Sequence, residues 1–274
     1  MDVLSEVLEV LDLKCTSVDP IRLRDIHTGR DESLQAWFVV SGGCRLKCTD
    51  DTAEYKLRSL DGVLLADGGR HELRPDSGKT SSPARLLRCV YALDRALPHP
   101  LARHLPGRLL LRSRDLTDES EFGRAAWLLE GELINARPGF DHVARRLADI
   151  MLVEMLRRCQ LDGPEPVFLA ALSEPVIHAA LQHIHDRLDR PWRVPDLAKS
   201  AGLSTRAFTE RFHHRVGEPP LRYIRYWRML KARRELRSTT APIKAVAAHA
   251  GYGSAAGFGR AFRRVFGRAP STLR

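Results

Sequence analysis

Arg206, Thr209, Glu210 and His213 fall on one face of the segment that follows Ser204, and Ala256, Gly259, Arg260 and Arg263 fall on the matching face after Ser254. These side-chain types suit recognition rather than bond-making. A guanidinium can donate two parallel hydrogen bonds to guanine O6 and N7, and a Thr hydroxyl can meet a base edge as donor or acceptor. The same Arg side chains can also grip phosphate, which positions a protein on a duplex without reading it. The two faces are unequal. Ala255, Ala256, Gly257 and Gly259 offer almost nothing to hydrogen-bond, so the donors of the second face are Arg260 and, beyond it, Arg263 and Arg264. The expectation is that the first segment reads sequence while the second anchors on phosphates.

The elements that must hold these faces are written twice. The first copy runs Ala198-x3-Gly202-Leu203-Ser204-x3-Phe208-x3-Phe212-x4-Gly217-x2-Pro220, and the second Ala247-x3-Gly251-Tyr252-Gly253-Ser254-x3-Phe258-x3-Phe262-x4-Gly267-x2-Pro270. The small Ala lets a first helix approach a second, and the Gly takes positive φ in the turn between them at no steric cost. Ser204 and Ser254 are placed to N-cap the second helix. The Phe pairs lie one turn apart and must face inward. This is the grammar of a helix-turn-helix unit. Between the copies, Leu221–Arg237 reads as one helix, with Leu221, Ile224, Met229, Ala232 and Leu236 toward the two units. Arg222, Arg225, Arg228, Lys231, Arg233, Arg234 and Arg237 are left to water or phosphate.

Charge supports a polyanion partner for this part. From Ser173 onward the chain carries 20 Lys and Arg against 7 Asp and Glu, whereas the preceding residues are slightly acidic and the whole has a net charge of +10. Nucleic acid is the leading candidate, a merely solvated basic surface the alternative. The five cysteines (Cys15, Cys44, Cys48, Cys89, Cys159) include no CxxC pair and read as reduced thiols. No signal-peptide apolar region and no run of about 20 apolar residues stands out, so the expectation is a cytoplasmic protein without a membrane partner.

Upstream, Leu4, Val7, Leu8 and Leu11 have the spacing of a short amphipathic helix. Predicted strands follow at Ala36–Val40, Cys44–Cys48, Glu54–Leu57, Gly62–Leu65 and Leu86–Leu93, with turns at Ser41-Gly42-Gly43, Asp50-Asp51, Asp61-Gly62 and Gly68-Gly69. Many short strands favour a small barrel or sandwich. A Pro-rich bridge over Leu93–Arg114 leads to two predicted helices, Ser120–Ala136 and Phe140–Gln160. In the second, Val143, Leu147, Met151 and Met155 form a stripe, and Ile150 and Leu152 add apolar surface elsewhere, suited to pairing with a second subunit or to packing on the strands. Gly163-Pro164-Glu165-Pro166 marks a linker.

Residues 174–274 resemble the DNA-binding domain of the AraC/XylS family of bacterial transcription regulators. The second copy carries the family signature in Ile243-x2-Val246-Ala247-x3-Gly251-Tyr252-x-Ser254-x3-Phe258-x-Arg260-x-Phe262-Arg263-x3-Gly267-x2-Pro270, departing from it at Leu273, where an aromatic is usual. Arg58–His71, which ends in an x-G-x-x-H pattern, resembles the second half of a cupin motif, and Trp37-x5-Gly43-Cys44-Arg45-Leu46 the strand turn before it. The resemblance implies an α+β multidomain chain: a cupin-like β-barrel with two following helices, then an all-α domain of two helix-turn-helix units joined by a long helix. The expected boundaries are 1–160 (barrel about 21–93, helices about 120–160), linker 161–173 and DNA-binding domain 174–274.

The implied function is sequence-specific regulation of transcription by a protein that binds double-stranded promoter DNA. Implied partners are a small-molecule effector, a second copy as homodimer, and RNA polymerase. Ser204, Arg206, Thr209, Glu210, His213, Arg225, Ser254, Ala256, Gly257, Arg260, Arg263 and Arg264 are the expected DNA-facing residues, and Trp37, His71 and Arg88 the expected effector residues. Two other functions compete: a nonspecific nucleoid-type DNA binder and a cupin metalloenzyme. The enzyme needs a His-x-His pair with further ligands, but the corresponding region reads Ala36-Trp37-Phe38-Val39 and leaves His71 alone. His183 and His185 sit on different faces of one helix. Neither catalytic residues, nor a metal, nor a cofactor is therefore expected.

Overall fold

The strands divide into two antiparallel sheets whose facing apolar residues share one core. In the computed structural model β1 (Lys14–Leu23), β3 (Leu34–Ser41), β6 (Gly62–Leu65), β8 (Ala84–Ala92) and β9 (Arg108–Leu111) form one sheet in the order β1-β8-β3-β6-β9. The other contains β2 (His27–Gly29), β4 (Gly43–Cys48), β5 (Glu54–Arg58) and β7 (His71–Pro75), in the order β2-β7-β4-β5. The described residues are 2–29, 33–48, 53–66, 70–76, 83–94, 97, 101, 105, 107–113, 121–135, 137–158 and 168–273. The predicted turns at Asp50-Asp51 and Gly68-Gly69, along with His99-Pro100, Pro106, Cys159 and Gly163–Pro166, lie outside them.

Strand β4 alternates, with Cys44 and Leu46 buried and Arg45 and Lys47 exposed, as a strand covered on one face should. Strand β3 does not alternate. Trp37 and Val39 enter a core with Leu46, Leu57, Leu73 and Leu86 between the sheets, whereas Phe38 turns outward to meet Phe122 at a ring separation of 5.6 Å. Both faces are covered, so Leu34–Val39 are buried without alternation, the polar Gln35 among them.

The cupin-like β domain is present as expected, and among the described residues no ladder joins the two sheets, so it takes the form of two stacked open sheets rather than a closed barrel. The physical reason lies at the edges. Strands β2 and β9 have only three and four residues, and β1 carries Pro20, which has no N–H to donate. The same Pro20 hid β1 from sequence reading, since a Pro in a ten-residue strand is tolerated only at an edge.

Helices α2 (Glu121–Asn135) and α3 (Phe140–Arg158) follow. Helix α3 is fixed to the first sheet by Tyr91, whose hydroxyl donates to the Ala148 carbonyl at 2.7 Å, and by Asp149, which accepts from the Cys15 amide at 2.6 Å. Its inward face is Ala144, Leu147, Ala148, Met151, Leu152, Met155 and Leu156. Val143, expected inside, is 40% exposed, and Ile150 is 47% exposed.

By contacts, Met1–Asp12, Asp94–Leu105 and Leu161–Arg274 form one compact unit, and Leu13–Leu93 with Pro106–Gln160 the other. The first unit holds α1 (Val3–Leu11), α4 (Phe168–Ser173), α5 (Pro175–Asp186), α6 (Val194–Ser200), α7 (Thr205–Val216), α8 (Pro220–Ser238), α9 (Ile243–His249) and α10 (Ala255–Phe266), ending in a 3-10 turn at Pro270–Leu273. Helix α1 buries Val3, Glu6, Val7, Val10 and Leu11, a face rotated from the predicted one so that a carboxylate lies within it.

Candidate nucleic-acid interface

Each helix-turn-helix is set by local chemistry. Gly202 and Gly251 take φ of +66° and +72° in the tight turns, a region costly to residues with a Cβ. The Ser204 hydroxyl accepts from the Ala207 amide at 3.2 Å, and the Ser254 hydroxyl from the Gly257 amide at 3.1 Å. Both therefore cap the N-terminus of the second helix. Phe208 and Phe212 are fully buried, as are Phe258 and Phe262, and each pair is in ring contact. Burying the Phe stripe forces the opposite face of α7 and of α10 outward.

On α7, the Arg206 side chain is 89% exposed and pairs with Glu210 at 2.9 Å. The pair holds the guanidinium over the helix N-terminal half, where a duplex phosphate or base edge can replace the carboxylate. The Thr209 hydroxyl donates to the Thr205 carbonyl at 2.7 Å, which leaves its lone pairs outward, and His213 is exposed. On α10, Ala256, Arg260, Arg263 and Arg264 are exposed, while Gly257 and Gly259 are half-buried. A Cβ added at Gly259 would meet nothing within 4 Å, so no packing demand explains this glycine. Ser204 and Ser254 lie exposed at the mouths of the two helices, and Arg225 is exposed on α8.

The predicted inward face of α8 needs one correction and three additions. Ile224, Met229, Ala232 and Leu236 are buried as expected, Leu221 is 44% exposed, and Tyr223, Trp227 and Leu230 join the buried face. The buried aromatics Tyr223 and Trp227 are hard to see in the sequence because Arg222, Arg225 and Arg228 are interleaved with them.

The basic residues of α8 are mostly engaged within the protein. Arg228 donates to the backbone carbonyls of Leu188 and Arg190 at 2.8 and 2.7 Å, and burial lowers its pKa from the usual guanidinium value. Lys231 pairs with Glu6, Arg234 with Glu9 at 2.7 Å, and Arg233 with Asp94 at 3.3 Å. Arg222 pairs with Glu218 at 3.0 Å but stays exposed. Arg225 and Arg237 stay exposed.

In the other unit, Trp37 and His71 meet with ring centroids 5.5 Å apart, and His27 lies 5.1 Å from Trp37. The Trp37 indole nitrogen is buried with no hydrogen-bond partner among the described residues. Arg88 accompanies this group. Its guanidinium donates to Gln35 at 3.0 Å and lies 3.6 Å from Asp19, and after burial its charge is what lowers the pKa of His27. The three expected effector residues are thus near one another, together with His27, for which the three-residue β2 gave no sequence signal. The core around them is filled by aliphatic side chains. Cys44 is completely buried, and burial, with the charges of Asp76 and Asp61, pushes its thiol up to about 12. A separate cleft of about 410 Å³ lies between β3 and α2, lined by Phe38, Leu60, Leu87, Phe122, Trp127 and Met151 among others. Among the described residues there is no group of three or more His, Cys, Asp and Glu able to hold a metal ion. Nor is any helix there long and apolar enough to cross a membrane.

Two family models match this chain, a cupin over residues 2–160 and a helix-turn-helix domain over residues 197–274. An AraC-like transcription regulator of Streptomyces antibioticus is 38% identical over 134 residues, 48% of this chain and 44% of that protein. The chain thus spans less than half the length of that relative. The regulatory protein SoxS of Salmonella typhimurium is 37% identical over 105 residues, 37% of this chain and 94% of SoxS. The transcriptional regulator AlkR of Acinetobacter baylyi is 26% identical over 305 aligned positions, 100% of this chain and 99% of AlkR.

Proposed function

The chain belongs to the AraC/XylS family of transcription regulators, with a cupin domain at its N-terminal side, and on that premise we propose that it binds promoter DNA sequence-specifically and regulates transcription in the cytoplasm. One observation carries the reading. Two capped, Phe-anchored helices, α7 and α10, present Arg206 and Arg260 outward within a strongly basic segment. Ser204, Thr209, Glu210, His213 and Arg225 complete the first reading surface. Ser254, Ala256, Gly257, Arg263 and Arg264 form the second, which approaches the phosphates closely because it is small.

Control enters through the cupin unit. A small molecule held near Trp37, His71 and Arg88, or pairing of two copies, biases the population able to place both helices on DNA. Trp127, Leu128 and Ile134 on α2 are 73%, 49% and 65% exposed, an apolar face suited to a second copy. RNA polymerase is the partner downstream.

Genome-wide mapping of bound sites, in cells with and without the gene, tests the function. A short list of sites sharing two boxes is expected. Uniform occupancy that tracks accessible DNA would instead make the protein a nonspecific binder.

A further inference from the structure

The two helix-turn-helix units repeat one backbone plan, yet their turn glycines have different surroundings. A Cβ added at Gly202 meets nothing within 4 Å. At Gly251 the same atom would lie 3.0 Å from the Asp189 carbonyl oxygen and 3.1 Å from Cζ of Arg228. Both glycines have positive φ of similar size, so turn geometry does not account for the crowding. It arises because a third element is wedged in. From the middle of α8, Arg228 sends Nε to the Leu188 carbonyl at 2.8 Å and Nη2 to the Arg190 carbonyl at 2.7 Å.

Those carbonyls belong to the loop that leads from α5 into α6, the opening of the first unit. The loop is itself braced. The Trp192 indole donates to the Arg187 carbonyl at 2.9 Å, the Trp192 amide to the Arg190 carbonyl at 2.8 Å, and the Arg190 guanidinium lies 4.7 Å from the Trp192 ring centre. A braced loop of the first unit, one guanidinium of the linking helix and the turn of the second unit are therefore stacked in direct contact.

We propose that Arg228 and Gly251 form a spacing lock that fixes the two recognition helices at one separation and so sets which distance between DNA boxes the protein accepts. Arg228 is a positioning residue here, with Nε and Nη2 each donating to a backbone carbonyl of the protein rather than to phosphate. The planar guanidinium suits the task, since it satisfies two carbonyls in one plane, which an ammonium does not. Gly251 suits it because a Cβ there would require the Asp189 carbonyl or the Arg228 guanidinium to give way by a few tenths of an ångström. Two linked modules bind best when their fixed geometry matches the span of their sites, and loosening the link spreads the accepted spans while lowering the best affinity. The inference rests on the DNA-reading function proposed above.

The test is selection of bound duplexes from a randomised DNA library by the full chain, with sequencing of the recovered boxes and the spacer between them. Wild-type protein should recover two boxes at a single spacing. R228M should recover the same boxes over a spread of spacings of one or two base pairs, with affinity for the preferred duplex lowered roughly tenfold. G251A should broaden the spacing likewise. G202A is the control, because it bears the same left-handed backbone strain without the collision, and it should keep the single spacing. G251A also carries the test if R228M fails to fold. Recovery of no common sequence by wild-type protein defeats the DNA-reading function itself. Two boxes at an unchanged single spacing in folded R228M or G251A overturn the spacing lock alone.

Discussion

Nδ1 of His185 lies 2.6 Å from the carboxylate of Glu6, a residue 179 positions earlier in the chain. The carboxylate can only accept, so the ring donates from Nδ1. Nε2 then faces the Tyr223 hydroxyl at 2.8 Å, and Lys231 holds the other Glu6 oxygen. Glu6 and His185 are 7% and 5% exposed, so a short helix at the chain start inserts its acid into the base of the DNA-binding unit. The neighbouring Glu9–Arg234 pair extends the contact along α8.

Removing the Glu6 carboxylate should be costly. E6A leaves a buried ring and an ammonium without their partner, and breaking a buried pair from one side costs about 3 kcal/mol. Urea unfolding monitored by Trp fluorescence checks it. A loss below about 1 kcal/mol would show that α1 merely rests on the unit.

The same group makes stability depend on pH. Burial alone would raise the Glu6 pKa, but the hydrogen bonds from His185 and Lys231 and their charges outweigh it and hold it below 4.5. A depressed folded pKa gives stability that is present above the unfolded value and lost as pH falls through the folded one. The stability gap between wild type and E6Q should therefore be widest above about pH 5 and narrow below pH 4.5. A gap that stays constant down to pH 3 contradicts the assignment.

The two reading surfaces should respond differently to Arg removal. R206A is expected to lose about 1–3 kcal/mol of discrimination at one base pair and to change little elsewhere. R260A should weaken all sequences together and reduce the slope of log affinity against log salt by about 1. Titration of singly substituted duplexes at several KCl concentrations separates the two. Equal loss of base discrimination in both variants would remove the asymmetry between the units.

What could be read in the sequence was local. Gly202, Ser204, Phe208 and Phe212 each act within a turn or two of their own position, so their types reveal their roles without knowledge of the fold. The hidden features are long-range or context-bound. Arg228 looks like one more solvated cation until the Leu188 and Arg190 carbonyls stand before it. Glu6 sits where an amphipathic reading places polar surface, and its partners lie in α5 and α8. Strand β1 is obscured by Pro20, which is acceptable because, among the described residues, β1 pairs on one side only, with β8. Val143 follows the apolar stripe of α3 but is 40% exposed, because the helix is rolled to bury small Ala144 and Ala148 against the sheet.

Capping by Ser204 and Ser254 should matter equally to stability and unequally to recognition. Each hydroxyl satisfies one orphan amide, so S204A and S254A should each cost about 1 kcal/mol in denaturant unfolding. On DNA, S204A disturbs the surface that carries Arg206 and Thr209. S254A disturbs one whose nearest neighbours are Ala and Gly. Base discrimination should therefore fall in S204A and persist in S254A, as read from the same duplex titrations.

The exposed face of α2 gives the last prediction. Trp127 is 73% exposed, with Leu128 and Ile134 also open to solvent on the same helix. Leaving an indole in water forgoes about 2 kcal/mol or more of burial energy, which pairing with a like surface recovers. A twofold contact brings Trp127 into play twice, so a single charge there is felt twice. W127E should therefore shift sedimentation of the full chain from dimer to monomer, while the circular dichroism of its helices stays unchanged. Because Trp127 also lines the cleft against β3, the conservative W127F separates packing from pairing: it should sediment as dimer. A wild-type chain that remains monomeric at tens of micromolar would sink homodimerisation through this face and leave control to the effector alone.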